Sequence, residues 1–283
     1  MPEGDAIHRA ARTLHRALAG RTVVRFESVF PALTRIDEDA PLAGQTVREV
    51  NALGKHLLIH FSGGLALRTH MRMNGSWHIY RTGETWKRPR RDMRIVLATD
   101  QFEAVGFNIP VAEFLRQDAL HKHRALRHLG PDVLSERFDH AEAIRRLQER
   151  RSLSVADALL NQRVMSGIGN VYKCEVLFAC RVNPFVTVDQ LDASQLQCLV
   201  DTAVRFLRAN VTARLPAMTT YAGYRRTTRR DNPRERLWVY GRARLPCRRC
   251  ATPIRVRKQG PDARLTYWCP SCQPSAAESR SDR

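Results

Sequence analysis

CRRC at residues 247–250 and CPSC at residues 269–272 are the two stretches that decide the fold of the C-terminal part of this chain. Two residues lie inside each cysteine pair and eighteen lie between the pairs, which is the spacing of a four-thiolate tetrahedral zinc site. Two intervening residues let both sulfurs of a pair face one ion. We therefore predict one structural Zn²⁺, in preference to unligated cysteines or two disulfides, held by Cys247, Cys250, Cys269 and Cys272.

The eighteen residues between the pairs are enough for a basic β-hairpin, in which cationic residues alternate with apolar ones. Such a hairpin fits a groove of a nucleic acid, and Lys258 near its tip is a candidate contact. A metal ion with four thiolate ligands has no open coordination position. Any chemistry must therefore come from another part of the chain.

The net charge of the chain also indicates a polyanionic partner. Lys and Arg number 47 against 28 Asp and Glu, giving +19, and only five of these cations are lysines. Residues 221–258 carry twelve arginines and one lysine against two acidic residues, so +11 of the +19 falls in 38 residues. This segment lacks the apolar stripe of a membrane-surface helix, which favours nucleic acid over a membrane.

The remaining composition excludes several classes of protein. No stretch approaches the roughly 18 apolar residues of a membrane-spanning helix, and the N-terminus lacks a signal-peptide pattern. Cys174, Cys180 and Cys198 lie in helical patterns and are interpreted as core residues. Together with the two Cys-x2-Cys pairs, they indicate a reducing compartment. We expect an intracellular protein, in the cytoplasm or nucleoid of a bacterium, without a membrane partner.

The N-terminal 120 residues predict an α+β domain. Apolar residues at helical spacing in residues 5–19 predict an amphipathic helix with Asp5 as N-cap and Gly20 beyond its end. From about residue 21 to residue 108, short alternating runs predict an antiparallel sheet. The predicted strands cover residues 22–29, 46–53, 55–61, 65–71, 76–80, 93–99 and 102–107.

Beyond a predicted linker at 121–137, which contains the Gly130-Pro131 break, the pattern becomes helical. The predicted helices cover residues 141–150, 155–162, 171–181 and 193–209. We assign 138–236 to a helical domain, 237–273 to the cysteine hairpin and 274–283 to a disordered tail.

A glycine-rich turn at residues 166–170 joins two of these helices. Its glycines let the backbone approach a ligand, and Asn170 is a suitable N-cap for the following helix, whose free amides would form an anion site. An ordinary interhelical turn is the alternative. The basic chain favours a DNA phosphate.

The first residues, Met1-Pro2-Glu3, contain a candidate nucleophile. Removal of Met1 before the small Pro2 would expose a secondary amine. An α-amino group titrates near pKa ~7.7–8.0, so a useful fraction is neutral and nucleophilic at physiological pH. A helix beginning near Asp5 would lower that pKa further. Such an amine can attack a sugar C1′ and form an iminium.

Seven motifs occur in an order that resembles the formamidopyrimidine-DNA glycosylase and endonuclease VIII family of base-excision repair enzymes. The resemblance spans residues 2–273 and is closer to the endonuclease VIII branch. The motifs are PEG at 2–4, GKHLL at 54–58, HMRMNG at 70–75, GPD at 130–132, GIGN at 167–170, LWVYGR at 237–242 and the four-cysteine finger.

The resemblance implies a two-domain α+β fold, with an N-terminal antiparallel β-sandwich flanked by helices and a C-terminal helix-two-turn-helix domain carrying a zinc β-hairpin. It implies that Pro2 is the nucleophile, that Glu3 is the acid and base, and that Lys55 holds the phosphate beside the lesion and assists elimination. Asn170 and Arg264 match the family residues that grip the DNA backbone.

The resemblance also places Arg72 and Met73 on the loop that fills the space left by the extruded nucleotide, although Met73 as a core residue is an open alternative. Two departures stand out. Ala6 occupies the position of a usual second glutamate, and residues 105–110 lack the Arg-Arg-Phe-Gly wedge of the formamidopyrimidine branch.

The implied function is that of a bifunctional DNA glycosylase and AP lyase, which removes oxidised bases, pyrimidines by preference, and cleaves the strand by β- and δ-elimination. Damaged double-stranded DNA is the expected partner of a monomeric enzyme, with single-stranded or bubble DNA as further substrates. The competing hypotheses are a catalytically silent DNA-binding paralogue, supported by Ala6, and a zinc-dependent transcription regulator.

Overall fold

The computed structural model describes residues 2–212, 225–228, 230 and 232–274. The chain forms two compact units, an N-terminal unit that extends to His128 and a C-terminal unit that begins at Leu129. This boundary falls inside the segment predicted as a linker. Apart from Pro274, the predicted disordered tail lies outside the described residues.

Two four-stranded antiparallel sheets make up most of the N-terminal unit. Their strand orders are β1-β6-β7-β5 and β2-β3-β4-β8. The strands are β1 Val23–Ser28, β2 Val47–Leu53, β3 His56–Phe61, β4 Leu65–His70, β5 Ser76–Arg81, β6 Met93–Thr99, β7 Phe102–Phe107 and β8 Val111–Arg116. The structure thus confirms the predicted antiparallel β-sandwich.

Helix α1, Gly4–Leu18, packs against β2. Its residues Ile7, Leu14 and Leu18 are at most 1% exposed, and complete burial of each such side chain contributes about 1.5–3 kcal/mol. Glu3 is the N-cap residue, so the prediction of Asp5 was wrong by two positions. The apolar stripe predicted which face of the helix is buried. It does not show at which residue the helix begins, because the first turn accepts both apolar and polar side chains.

Two elements of the N-terminal unit were missed by the sequence patterns. Helix α2, Pro31–Asp39, has a proline in its first turn, where the missing N–H costs nothing. Strand β8 pairs with β4 and has intermediate burial along most of its length, so its residues lack a clear apolar alternation.

The C-terminal unit contains four helices and one hairpin among the described residues. They are α3 His140–Gln148, α4 Val155–Leu160, α5 Asn170–Ala179, α6 Ala193–Thr212, β9 Arg255–Gln259 and β10 Arg264–Trp268. One apolar core joins all four helices and includes Leu159, Leu177 and Leu199, each fully buried. A smaller core lies under the hairpin around Phe178, Val239 and Ile254. The helical domain and the β-hairpin are both as predicted.

The cysteines outside the hairpin differ from their predicted role in one respect. Cys174 is a buried free thiol, as expected, but Cys180 and Cys198 form a disulfide between the end of α5 and α6. The interpretation of these two residues as simple core residues was wrong, because helix packing brings together side chains that are 18 positions apart in the chain.

Among the helices of the described residues, none combines the length and the apolar character required to span a membrane.

Candidate active site and nucleic-acid interface

The N-terminus of α1 carries the residues expected to perform the chemistry. Pro2 and Glu3 are both buried, and the Glu3 carbonyl accepts hydrogen bonds from the backbone amides of Ala6 and Ile7 at 2.9 and 3.1 Å. The helix dipole places partial positive charge here, which stabilises a carboxylate. Asp5 is also buried, and Arg9 donates to it at 3.0 Å. The carboxylates and the Pro2 nitrogen therefore share the positive end of one helix.

Lys55 lies at the tip of the hairpin that joins β2 to β3. Leu53 pairs with His56, so Gly54 and Lys55 form a two-residue loop. Gly54 has a φ of +59°, as required at the first central position of a type II′ turn. The glycine therefore sets the direction in which the Lys55 side chain leaves the sheet. Lys55 itself is only partly exposed.

The turn at residues 71–75, between β4 and β5, shows whether Met73 is a core residue or an exposed residue of the loop. Met71 is buried, whereas Met73 is 55% exposed and therefore does not belong to the core. Arg72 adopts a left-handed conformation with a φ of +45°. Gly75 closes the turn by donating from its amide to the Met71 carbonyl at 2.9 Å. A Cβ atom on Gly75 would lie 2.6 Å from that carbonyl oxygen, so only glycine fits.

An open cavity of about 630 Å³ adjoins Met73. Arg88, Arg94 and Asn108 contribute polar groups to its lining. The segment 105–110, which lacks the wedge motif, contributes no projecting aromatic residue here because Phe107 and Ile109 are fully buried. The exposed side chain of Met73 thus presents an apolar group at the edge of this cavity.

In the C-terminal unit, α5 begins at Asn170 and its N-cap is Gly169. The prediction of Asn170 as N-cap was therefore wrong by one position. The Asn170 side chain instead reaches the finger, where its Nδ2 donates to the Leu265 carbonyl at 2.8 Å. Its Oδ1 is buried and has no hydrogen-bond partner among the described residues. The predicted turn and the predicted hairpin are thus in direct contact.

A buried lysine strengthens this contact, and the sequence analysis did not identify it. Lys173 is 1% exposed, and its Nζ donates to Thr266 Oγ1 at 2.8 Å. Thr266 in turn donates to Gln259 Oε1 at 2.9 Å, and the Gln259 amide donates to Ser154 Oγ at 2.9 Å. Lysine is rare in this chain, and Lys173 lies on a mostly apolar helix that also carries Glu175. That combination was the available signal.

A second buried charge anchors the segment that leads into the finger. Glu175 accepts hydrogen bonds from the backbone amides of Trp238, Val239 and Tyr240 at 2.8–2.9 Å, and from the Thr227 hydroxyl. Burial raises the pKa of Glu175, and these four donors oppose that shift. Replacing its carboxylate would leave several buried amides without an acceptor.

The four predicted metal ligands come together in the structure. Their Sγ atoms all lie within 4.8 Å of one another, with 3.4 Å between Cys250 and Cys269 and 3.9 Å between Cys247 and Cys272. Four thiolates at ~2.3 Å from one tetrahedral zinc ion would lie ~3.8 Å apart. The cluster therefore fits a structural metal site with an all-sulfur donor set.

Basic side chains line the exposed hairpin. Lys258 is exposed opposite Leu265, and Arg257 is exposed and lies over the Phe185 ring at 3.8 Å. The side chain of Arg264 is 38% exposed, and its Nη2 lies 3.5 Å from Asp262. Lys258, Arg264 and Asn170 therefore all belong to the C-terminal unit.

A β-sandwich unit, a helix-two-turn-helix unit and a four-cysteine hairpin together define a class of DNA-repair glycosylases. Comparison with known families agrees. The formamidopyrimidine-DNA glycosylase N-terminal domain matches residues 1–110, and the formamidopyrimidine-DNA glycosylase H2TH domain matches residues 129–221.

Similar proteins place the chain more closely. It is 40% identical to a probable endonuclease 8 2 of Streptomyces coelicolor over 280 residues, covering 98% of this chain and 95% of that protein. It is 37% identical to a DNA-(apurinic or apyrimidinic site) lyase of Mycolicibacterium smegmatis, covering 98% and 100%. The fold matches Lactococcus lactis formamidopyrimidine-DNA glycosylase, solved with abasic-site DNA, with a TM-score of 0.80, 21% identity and coverage of 96% and 100%.

The chain therefore belongs to the formamidopyrimidine-DNA glycosylase and endonuclease 8 family, and it is a DNA glycosylase with AP lyase activity. The curated relatives named endonuclease 8 agree with the predicted branch.

Proposed function

We propose that this enzyme excises oxidised pyrimidines from damaged duplex DNA through a Schiff base on Pro2 and then cleaves the strand by β- and δ-elimination. The observation that carries the proposal is the adjacency of Pro2 and the fully buried Glu3 at the positive end of α1. This position favours a neutral amine beside an ionisable carboxyl group.

The chemistry follows from these two groups. After loss of Met1, the Pro2 nitrogen attacks C1′, and the base leaves with its bonding electrons and takes up a proton. Glu3 protonates the sugar ring oxygen as the ring opens, which yields an iminium on Pro2. The iminium acidifies the C2′ protons, so the 3′-phosphate leaves by β-elimination and the 5′-phosphate by δ-elimination. Water finally releases Pro2.

Binding and extrusion of the damaged nucleotide use residues of both units. Lys55, Asn170 and Arg264 contact phosphates around the lesion. Met73 enters the space vacated by the extruded nucleotide, and Arg72 lies beside it on the same turn. Lys258 contributes a further phosphate contact from the exposed hairpin strand. The enzyme is proposed to act as a monomer.

One Zn²⁺ held by the four finger cysteines supports this binding without taking part in catalysis. Four thiolates complete a tetrahedral site, so no coordination position is left for a substrate. The finger residues Leu265 and Thr266 bond to Asn170 and Lys173. Correct folding of the hairpin therefore bears directly on the geometry of Asn170.

The preference for pyrimidines rests on the branch of the family and on the segment 105–110. Residues 105–107 of that segment lie in β7, and a Cβ at Gly106 would lie 2.6 Å from Ile109 Cδ1, the flexible end of a side chain that would have to shift. Ala6 is buried inside α1, and the neighbouring Asp5 is already engaged by Arg9. The carboxylate available beside position 6 is therefore Asp5, which Arg9 holds.

Borohydride trapping tests the proposal. Wild-type protein with a verified N-terminal proline, incubated with abasic-site duplex and borohydride, should form a covalent adduct that maps to Pro2. Pro2→Gly, or protein that retains Met1, should lose the Pro2 adduct. Absence of any adduct from the wild-type protein would refute the Schiff-base mechanism, and excision of 8-oxoguanine in preference to thymine glycol would refute the pyrimidine preference.

A further inference from the structure

A chain of polar side chains crosses the sheet that carries Lys55. Arg68, on β4, is 5% exposed and lies directly opposite Glu113 on β8, with which it forms a salt bridge. On its other side, Arg68 Nη2 lies 3.0 Å from Nδ1 of the buried His56. His56 contacts the ring of His70 edge to face, with 4.9 Å between centroids. We call Glu113, Arg68, His56 and His70 the Arg68 network.

The contacts of the Arg68 network fix the protonation of both histidines. A guanidinium group only donates hydrogen bonds, so Nδ1 of His56 accepts and its proton lies on Nε2. His70 Nδ1 accepts from the backbone amide of Arg72 at 3.1 Å, which assigns the same tautomer to His70. Burial, reinforced by Arg68, lowers the pKa of His56 to about 2 and that of His70 to about 4. Both rings are therefore neutral acceptors at physiological pH.

The last bond of the Arg68 network reaches the turn that carries Met73. The hydrogen bond from the Arg72 amide to His70 holds Arg72 in its left-handed conformation. For a residue with a Cβ, this conformation is unfavourable and persists only when its surroundings impose it. The neighbouring Met73 takes its direction from this backbone.

The fold of the sheet alone does not require the Arg68 network. A buried guanidinium group is expensive to desolvate, and Arg68 Nε has no hydrogen-bond partner among the described residues. An apolar side chain at position 68 would suit a buried strand at a lower cost. The unfavourable desolvation of Arg68 is explained if this side chain orders the turn at residues 71–75 and does not serve to stabilise the sheet.

We propose that Arg68 is a positioning residue for base extrusion: anchored by Glu113, it orients His56 and His70 so that Arg72 holds Met73 ready to enter the DNA. This inference rests on the proposed function, because it assigns Met73 to the space left by the extruded nucleotide. It adds Arg68 and Glu113, which act on the turn through His56 and His70.

The test compares two duplexes of the same sequence, one with thymine glycol opposite adenine and one with an abasic site. Only the first requires a base pair to be broken. The test variants are Arg68→Met, which removes the guanidinium group, and Glu113→Gln, which keeps the shape but weakens the anchor. Arg68→Lys tests rescue. Arg25→Met is the matched control, since Arg25 forms a cross-strand pair with Glu103 at 2.7 Å in the other sheet.

Single-turnover base excision from the thymine glycol duplex should fall roughly 10- to 100-fold in Arg68→Met, because a small displacement of a positioned group has an effect of this size. Glu113→Gln should show a smaller loss in the same direction, and Arg68→Lys should recover part of the rate. Cleavage of the abasic duplex should stay close to that of wild type in all three variants, and Arg25→Met should match wild type on both duplexes.

Equal losses on both duplexes would indicate a general defect and overturn the proposal, as would unchanged excision in Arg68→Met. If Arg68→Met fails to fold, Glu113→Gln decides the question by the same ratio of rates, because Glu113 is partly exposed and its replacement retains a hydrogen-bond acceptor. If the wild-type enzyme forms no trapped adduct with abasic DNA, the proposed function itself is refuted. That trapping experiment is independent of the ratio of the excision rate to the abasic cleavage rate.

Discussion

The two units hold their functional side chains by different means. In the N-terminal unit, backbone conformation positions most of the residues: Glu3 caps a helix and Gly54 turns a hairpin, while Arg72 bends a loop that the Arg68 network supports. In the C-terminal unit, buried polar side chains and thiolates do so, through Lys173, Glu175 and the four finger cysteines. Single substitutions in the first unit should therefore alter the chemistry locally, whereas those in the second should disturb binding over a wide surface.

Loss of a metal ligand should give the largest effect and the sharpest contrast between the units. Cys269→Ser should release the zinc, since structural zinc contributes about 10–16 kcal/mol to small metal-dependent folds. DNA binding should be abolished while the N-terminal unit stays folded. Metal analysis and fluorescence anisotropy with a labelled duplex test this. Cys174→Ser, at a buried thiol outside the cluster, should retain the metal. Full metal loss with unchanged affinity would contradict the role assigned to the finger.

Glu175→Gln should give the next largest effect. The backbone N–H groups that now donate to the Glu175 carboxylate would face the NH2 group of the glutamine, which cannot accept a hydrogen bond from them. Each unsatisfied buried group costs about 1–3 kcal/mol. We expect lower thermal stability of the C-terminal unit and weaker DNA binding, measured by calorimetry and anisotropy. Glu149→Gln, at an exposed position in the same unit, is the control. If the two variants behaved alike, the anchoring role of Glu175 would be wrong.

Lys55→Ala should show the local behaviour expected of the N-terminal unit. Strand cleavage should slow by about 10- to 100-fold, as for loss of one positioned catalytic group. Affinity should change little, because one phosphate contact is a small part of so basic a surface. Single-turnover cleavage and equilibrium binding separate the two quantities, and Lys87→Ala, at an exposed lysine of the same unit, is the control. Equal losses in cleavage and binding would argue against a catalytic position for Lys55.

The smallest effect should appear as a pH dependence of the N-terminal unit. Burial lowers the pKa of His78 to about 4, as it does for His70, and that of His56 to about 2. Below pH ~6.5 the unfolded chain binds protons that the folded unit does not, so the free energy of unfolding falls as the pH drops from ~6.5 toward ~4. Each such histidine contributes up to about 1.4 kcal/mol per pH unit.

Denaturant titrations between pH 7 and pH 5 measure this slope. His56→Phe should reduce this slope relative to wild type, by up to the contribution of one proton. A slope that is identical in wild type and His56→Phe would contradict the assignment of His56 as neutral.

The sequence predicted most of the fold because the periodic patterns are long. The stripe of Ile7, Leu14 and Leu18 predicted α1, and seven of the eight strands of the N-terminal unit coincide with predicted runs. The four-cysteine cluster was predictable because it consists of two pairs of cysteines that are close in the sequence. Contacts between distant residues were not. The Cys180–Cys198 disulfide and the bond between Lys173 and Thr266 depend on helix packing. Likewise, Arg68 looks like any polar residue in a strand until its partner Glu113 is known.

The scarcity of lysine has a consequence for product chemistry. Removal of a base leaves an aldehyde, which condenses with any neutral amine that can reach it. Arginine stays protonated at every physiological pH and forms no such adduct. Of the five lysines, Lys173 is enclosed in the C-terminal unit. A surface made largely of guanidinium groups can therefore hold the DNA while offering few neutral amines to the electrophile that a glycosylase generates.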